Sequence, residues 1–302
     1  MDPSLKIRIG IGLGTLTAAG RPGAFDAIVD RCESLGFDSL WMSERIASDA
    51  PDPLIALAIA AARTERMKLG TSVVVLPGRN PVLLAKEMAT LDRLSGGRFL
   101  PAVGLGAVDP LEQRAFGVER GARGTLHDEM LEIMRRAWTG EPFSFHGTHF
   151  DIDDVVVGPR PTQDRLDVWL GGLAPSELRR VGRVGDGWLP SFCSADDIVA
   201  GRTVIEAAAA DAGRVIDPQH FGALVAYCDG ALPERFVETL ARRMPDRDPR
   251  TVIPTRDGLA AVVRSLIDVD VSKFVIVPLV GDVDPDRELG ALADELLPLE
   301  NH

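Results

Sequence analysis

The chain is short of lysine, asparagine and cysteine, has no surplus of positive charge and contains no long apolar run. Each shortage excludes something. Three cysteines, Cys32, Cys193 and Cys228, are an odd number without CxxC spacing. They read as buried thiols of a cytoplasmic protein, not as a disulfide framework. Lys+Arg is 33 against 45 for Asp+Glu, a net charge of −12. Binding to nucleic acid or to an anionic membrane surface needs the opposite balance, so neither is an expected partner. No stretch of about 20 apolar residues is present to span a bilayer. The opening segment MDPSLKIRIGIGLG lacks the basic region and apolar run of a signal peptide. There is no HExxH, Walker loop, Ser/His/Asp elbow or Cys/His pair. His146 and His149 flank Gly147 in an expected hairpin, so no metal site is expected.

What is present is ordinary for a globular chain: 45% hydrophobic and 26% charged residues. At roughly 100–200 residues per domain, 302 residues make one large domain or two ordinary ones. No composition shift marks a boundary, so residues 1–302 are read as one domain. Lys6, Lys68, Lys86 and Lys273 are the only lysines among 33 basic residues, and Asn80 and Asn301 the only asparagines. That usage is what GC-rich codons give.

Short β-type runs alternate with amphipathic segments. Strands are predicted at Lys6–Gly12, Ser39–Ser43, Lys68–Leu76, Arg98–Gly104, Asp167–Leu170, Gly187–Leu189, Phe221–Cys228 and Lys273–Val277. Helices are predicted from Pro22 to Leu35, and over Pro53–Arg63, Pro81–Ser95, Thr125–Trp138, Ala174–Val184, Ala195–Ala212, Pro233–Arg243, Arg256–Asp268 and Pro285–Leu297. A hairpin over Phe143–Ile152 and the region 229–255 read as insertions. Eight buried strands, nearly all followed by a helix, predict an α/β fold, a (β/α)8 TIM barrel with insertions. The competing architecture is an open doubly wound sheet, but no G-x-G-x-x-G follows the first strand. Helix Pro53–Arg63 is apolar on nearly every face, which predicts burial of part of it against a partner subunit or an extra internal layer; a homodimer is expected.

Barrel active sites form at the strand C-termini. That ordering selects Gly12, Ser72 to Leu76, Gly104 to Gly106, and Gly171 with Gly172. The segment Gly171-Gly172-Leu173-Ala174-Pro175-Ser176 ends a strand in two glycines and opens a helix. Free N–H groups and the helix dipole there favour an anion such as phosphate; an ordinary turn with a Ser176 cap is the competing reading. Glu44-Arg45 follows the second strand. The pair is either a solvated loop or a catalytic group, with Arg45 holding an anionic substrate or a ring that becomes anionic on reduction. Arg79 competes for that substrate role. His127, near a helix start, is a candidate acid or base, or a plain exposed histidine. Trp41, Trp169 and Trp188 are expected in the core or as a cofactor wall. A mouth with so few acid–base groups suits chemistry carried by a cofactor on a small-molecule substrate.

Several segments resemble the bacterial luciferase-like superfamily, in particular its oxidoreductases that use coenzyme F420 or flavin mononucleotide (FMN). They are Gly36-Phe37-Asp38-Ser39-Leu40-Trp41, Leu69 to Pro77, Arg79-Asn80-Pro81 and Leu94-Ser95-Gly96-Gly97-Arg98-Phe99. Phe145-His146-Gly147-Thr148-His149-Phe150, and Gly171-Gly172 followed by Gly185-Asp186-Gly187-Trp188, complete the set. The resemblance implies a flavin or deazaflavin at the strand C-termini, its ring packed on a bulge with a cis peptide at Ser72–Val73. Val75, Gly12, Gly104 and Gly106 would border the ring. Gly171, Gly172, Ala174 and Ser176 would take the phosphate. Two departures matter. Sugar-phosphate dehydrogenases of the group carry Asp-His where this chain has Glu44-Arg45, and a Glu where it has Ala107. The expectation is an F420-dependent oxidoreductase without that acid–base pair; the alternatives are an FMN-dependent monooxygenase and a non-catalytic flavin-binding protein. The arginine-rich usage favours F420.

Overall fold

The computed structural model describes residues 4–13, 23–106, 109–241, 244, 247–279 and 284–301. Twelve strands lie along them: β1 Arg8–Gly12, β2 Ser39–Met42, β3 Lys68–Thr71, β4 Val74–Val75, β5 Phe99–Leu100, β6 Ala102–Gly104, β7 Phe143–His146, β8 Asp151–Val155, β9 Trp169–Leu170, β10 Gly187–Trp188, β11 Gly222–Tyr227 and β12 Lys273–Pro278. The helices are α1 Ala24–Leu35, α2 Pro53–Arg63, α3 Pro81–Leu94, α4 Pro110–Phe116, α5 Arg123–Trp138, α6 Pro175–Val184, α7 Ala195–Asp211, α8 Glu234–Ala241, α9 Leu259–Ile267 and α10 Pro285–Leu296.

Parallel pairing runs in two stretches, β11-β12-β1-β2-β3-β5 and β10-β9-β6-β4. β3 and β4 are one strand broken at Ser72–Val73, where the peptide is cis as the resemblance implied. β5 and β6 are one strand broken at Pro101, which has no N–H for the ladder. Counted this way there are eight parallel tracks. Between β10 and β11 single bridges, Trp188–Phe221 and Ser191–Leu224, take the place of a ladder. β7 and β8 form the expected antiparallel hairpin outside the barrel.

Helix starts follow local chemistry. Asp52 Oδ1 accepts from Leu54 N at 2.9 Å and Ile55 N at 3.1 Å, with Pro53 as the first helical residue of α2. Asn80 with Pro81, and Asp109 with Pro110, repeat the device at α3 and α4. Helix α4 was not predicted, although Asp109-Pro110 and the left-handed Gly117 at its end are a start and a stop signal. The predicted helix from Arg256 opens as a 3-10 turn before α9. Pro22, proposed to open the first helix, lies outside the described residues, as does Ala107.

The barrel interior holds Trp41, Ala102, Trp169, Leu189, Val275 and Val277. The two indoles fit because neighbouring strands present glycine. A Cβ on Gly70 would lie 2.2 Å from Trp41 Cε3, and one on Gly187 2.5 Å from Trp169 Cδ2. At the N-terminal end of the strands Lys273 Nζ donates to Asp38 Oδ2 at 2.9 Å. Burial alone would raise the Asp38 carboxyl, but Lys273 and the Ser39 hydroxyl outweigh it and hold it below the ordinary value. The large outer core lies between strands and helices and includes Trp188, Phe221 and Phe274. Region 229–255 builds a small core of its own, Cys228, Leu240, Val252 and Ile253, against Phe192 and Leu279 in the loops after β10 and β12. Arg247 fastens it by donating to Asp197 at the start of α7, Nη2 to Oδ1 at 2.7 Å. That guanidinium, with Ser194, holds the Asp197 carboxyl down to about 2.

Candidate functional site

The C-terminal ends of β4, β6 and β9 form a half-exposed ledge. Ser72, Val73, Gly104, Gly106, Gly171 and Gly172 are all partly open there. The glycines are required by close neighbours. A Cβ on Gly104 would lie 2.8 Å from Val73 Cγ2, and one on Gly106, which has φ +85°, 3.0 Å from Val75 Cγ1. Gly12 faces the barrel axis, where a Cβ would meet Val277 at 2.6 Å. Val73 packs on the interior apolar cluster, so the ledge has a dry floor of Val275, Val277 and Leu189. A flat ring fits such a seat: glycine edges leave it room and valine and leucine side chains exclude water.

The cis segment is held from β2. Ser43 Oγ donates to Ser72 O at 2.9 Å, and Glu44 N donates to Val73 O at 3.1 Å. The buried Glu44 carboxylate accepts from Val75 N at 2.7 Å with Oε2, and from the Arg79 guanidinium with Oε1. Burial raises its pKa above the ordinary value despite both partners. This corrects the expectation for Glu44 and Arg79. Glu44 is not a loop partner of Arg45 and not free for catalysis; it is a brace. Arg79 lines the outer groove between α2 and α3 and its guanidinium is engaged by Glu44, so it is not free to bind substrate.

Arg45 is half-buried and makes no side-chain hydrogen bond or ion pair among the described residues. Its loop is held from α4, where the buried Glu112 accepts from Ile46 N at 3.3 Å and Ala47 N at 3.2 Å. Sequence reading missed Glu112, because it lies beyond the loop it holds and no local pattern marks it. His127 is 1% exposed and offers no surface to a substrate. Burial lowers its pKa below the ordinary histidine value; its proposed substrate contact is not met.

At α6 the Glu177 carboxylate accepts from Ala174 N at 3.0 Å and Leu173 N at 3.2 Å. The chain's own anion thus takes two donors of the turn after Gly172. Ala174 and Ser176 are exposed, and the Ser176 hydroxyl makes no hydrogen bond among the described residues. Buried Arg123 reaches across from α5 to Leu105 O at 3.2 Å and Gly106 O at 3.3 Å, and lies close enough to Glu177 for the two charges to interact. The donors left for a phosphate at this turn are therefore fewer than the bare helix start suggests, and the Glu177 carboxylate lies beside Gly172.

Two charged residues of the matching motifs prove to be scaffold. Asp186 accepts from Arg135 Nη2 at 2.6 Å, Arg214 Nη2 at 3.0 Å, Val168 N at 3.0 Å and Arg165. Arg98 donates five hydrogen bonds, to Ser95 O, Thr64 Oγ1, Met67 O, Ala61 O and Thr64 O.

Comparison with known proteins bears on the fold and the family. F420-dependent glucose-6-phosphate dehydrogenase of Kineococcus radiotolerans is 31% identical over 178 residues, 56% of this chain and 52% of that protein. The chain spans about half the length of the curated relatives it matches. The coenzyme F420-dependent tetrahydromethanopterin reductase of Methanopyrus kandleri shares the fold with a TM-score of 0.79 at 19% identity, covering 98% of this chain and 100% of that one. The oxygenating part of 3,6-diketocamphane monooxygenase of Pseudomonas putida, in complex with FMN, superposes with a TM-score of 0.74 at 19% identity over 98% and 99% of the two chains. The family profile described as luciferase-like monooxygenase matches residues 4–251, and the chain belongs to that family.

Proposed function

We propose that the protein is an F420-dependent oxidoreductase that transfers hydride to an activated C=C or similar acceptor. The observation that carries the reading is the ledge at Ser72–Val73, Gly104 and Gly106, with Val73 packed on the apolar interior and no histidine hydrogen-bonded to it among the described residues. When bound, the deazaflavin supplies the hydride-carrying carbon. The chain does the rest. Val73, Val275, Val277 and Leu189 would exclude water beneath the ring. Gly171, Gly172 and Ser176 would hold the phosphate. Arg45, without a side-chain partner among the described residues, is the group available to hold or polarise the acceptor, and a guanidinium does this without surrendering a proton. Oxidation of a sugar phosphate, the activity in the names of several relatives, is not proposed, because Arg45 stands where that chemistry has histidine.

FMN is the second reading, favoured by the FMN-bound neighbour. The test adds F420 and FMN separately to purified protein and follows fluorescence quenching, then offers reduced F420 with a panel of enones. Tight FMN binding with none of F420 refutes the first reading. Binding of F420 without turnover of any acceptor favours a non-catalytic binding protein. Arg45→Ala is expected to leave F420 affinity within about twofold and to lower turnover about 100-fold or more, the scale of a lost charge-stabilising donor.

The same reading includes a homodimer formed through α2 and α3. Ile55, Ile59 and Leu94 are 66%, 45% and 72% exposed on one outer face, an apolar patch of the kind that marks an interface. Sedimentation at micromolar concentration should show the dimer; a monomer there refutes it.

A further inference from the structure

The outer groove and the cofactor seat share one side chain. Arg79 lines the groove together with Leu54, Ile55, Ile59, Glu87 and Leu94, and its guanidinium donates to Glu44 on the inner side. Glu44 in turn holds Val75 N through its carboxylate and Val73 O through its own N–H. Three contacts thus run from an exposed helix face to the strand segment that borders the seat. The groove, about 980 Å³, is large enough for a helix face and far too large for one side chain.

Its charges suit a second copy of the same chain. Lys86 and Glu87, both exposed on the lining, have no ion-pair partner among the described residues; Lys86 Nζ donates to Gly158 O at 2.6 Å. A two-fold interface sets one patch against itself, so it needs an unpaired group of each sign beside a shared apolar strip. A peptide or lipid would cover the strip but has no reason to match both signs.

We propose that the second copy completes the cofactor seat: by closing over Arg79 it fixes Glu44, and through Val73 and Val75 the segment on which the ring packs, so that dimerisation and cofactor binding strengthen one another. This rests on the F420 and dimer readings given above. The coupling is reciprocal: if the dimer tightens F420 about tenfold at each of its two sites, saturating F420 tightens the dimer by the product of the two factors, about 100-fold.

The experiment uses the full chain, F420 quenching and analytical ultracentrifugation. F420 affinity should be about tenfold weaker below the dimer dissociation concentration than above it. F420 should lower that dissociation concentration correspondingly. The exposed double variant Ile55→Glu/Ile59→Glu, checked for its fold by circular dichroism, should be monomeric and bind F420 with the weaker affinity. Arg79→Met should remain dimeric through the apolar strip, and its F420 affinity should no longer change with protein concentration. A folded monomeric variant that binds F420 as tightly as the wild type overturns the coupling and leaves the cofactor reading intact. So does a wild-type dimer whose dissociation ignores F420. A chain that is monomeric at all concentrations yet binds F420 overturns it too. If the variants do not fold, the wild-type dilution series decides alone. A dimer that binds neither F420 nor FMN refutes the cofactor reading itself, and the coupling falls with it.

Discussion

Adding one methyl group inside the barrel is a direct test of how its core is built. Trp41 is fully buried and sits between glycines of the flanking strands. A Cβ on Gly70 would lie 2.2, 2.3 and 2.5 Å from three ring atoms, against 3.4–4 Å for ordinary contact. The indole cannot swing away. Its Nε1 is fixed by a 2.8 Å bond to Ser39 Oγ, and on the β1 side Gly10 Cα approaches so closely that a Cβ there would be 2.9 Å from Nε1. Overpacking of this kind costs about 1–3 kcal/mol, and the clamped ring places Gly70→Ala at the upper end. The lower chain entropy of alanine returns about 0.5–1 kcal/mol, leaving a net loss of about 2 kcal/mol.

The decisive measurement is a double-mutant cycle. Trp41→Leu alone should cost about 3 kcal/mol for lost burial and a cavity. In that background the methyl of Gly70→Ala enters free space and should be neutral or slightly stabilising. The interaction energy between the two sites is then about 2–3 kcal/mol, where independent sites would add. Urea unfolding followed by circular dichroism reads all four proteins. A cost for Gly70→Ala below about 0.5 kcal/mol, or equal in both backgrounds, would falsify the packing argument.

Other consequences are as direct. Arg98→Lys replaces five donors with three and strands at least two acceptors, so unfolding should be easier by about 2–4 kcal/mol; a change under about 0.5 kcal/mol would assign those bonds no weight. Gly104→Ala pushes a methyl to 2.8 Å from Val73 at the ledge and should weaken F420 binding about tenfold or more while leaving the unfolding midpoint close to wild type, since the ledge is half-open; unchanged binding would move the ring elsewhere. Asp197 has its carboxyl lowered from 3.8 to about 2 by Arg247. A depressed acid contributes stability above its unfolded value and loses it as the pH falls through the folded one. The advantage of wild type over Asp197→Asn should therefore be full above about pH 4 and vanish towards about pH 2; an advantage that persists at pH 2 would contradict the pairing.

The parts of this fold legible in the sequence were those fixed by neighbours along the chain. The bounds of α2 follow from Asp52-Pro53 at one end and the loss of apolar residues at the other, and they match the reading residue for residue. Most strand ends fell within one or two residues for the same reason. The predicted continuous third strand is divided, and only the resemblance, not the run Ser72-Val73-Val74-Val75, carried that information. The site was legible only as a list. Glycines after β6 and β9 marked the ledge, because close approach needs a missing Cβ. The ion pairs were not legible: Glu44 and Arg79 are 35 positions apart, and nothing local distinguishes that pairing from the adjacent Glu44-Arg45. His127 misled because a helix start predicts exposure, whereas the barrel packs α5 so that its second turn faces the core.

The distribution of charge explains why the mouth carries so little acid–base chemistry. Asp38 with Lys273, Arg98 with the end of α2, and Asp186 with three arginines all lie at the strand N-termini or in the turns leading into them. There they neutralise one another and satisfy backbone groups. Towards the C-terminal ends the acids are equally committed: Glu44 to Val75 and Arg79, Glu112 to the loop after β2, Glu177 to the start of α6. Hydrogen bonds to an ionised carboxylate lower its affinity for a proton, and burial raises it. At Glu44 burial outweighs both of its partners, whereas Glu177 accepts both of its bonds through Oε2. Among the described residues the Arg45 guanidinium and the Ser176 hydroxyl make no hydrogen bond. A free guanidinium suits holding an anionic group, because it stabilises negative charge without giving up a proton.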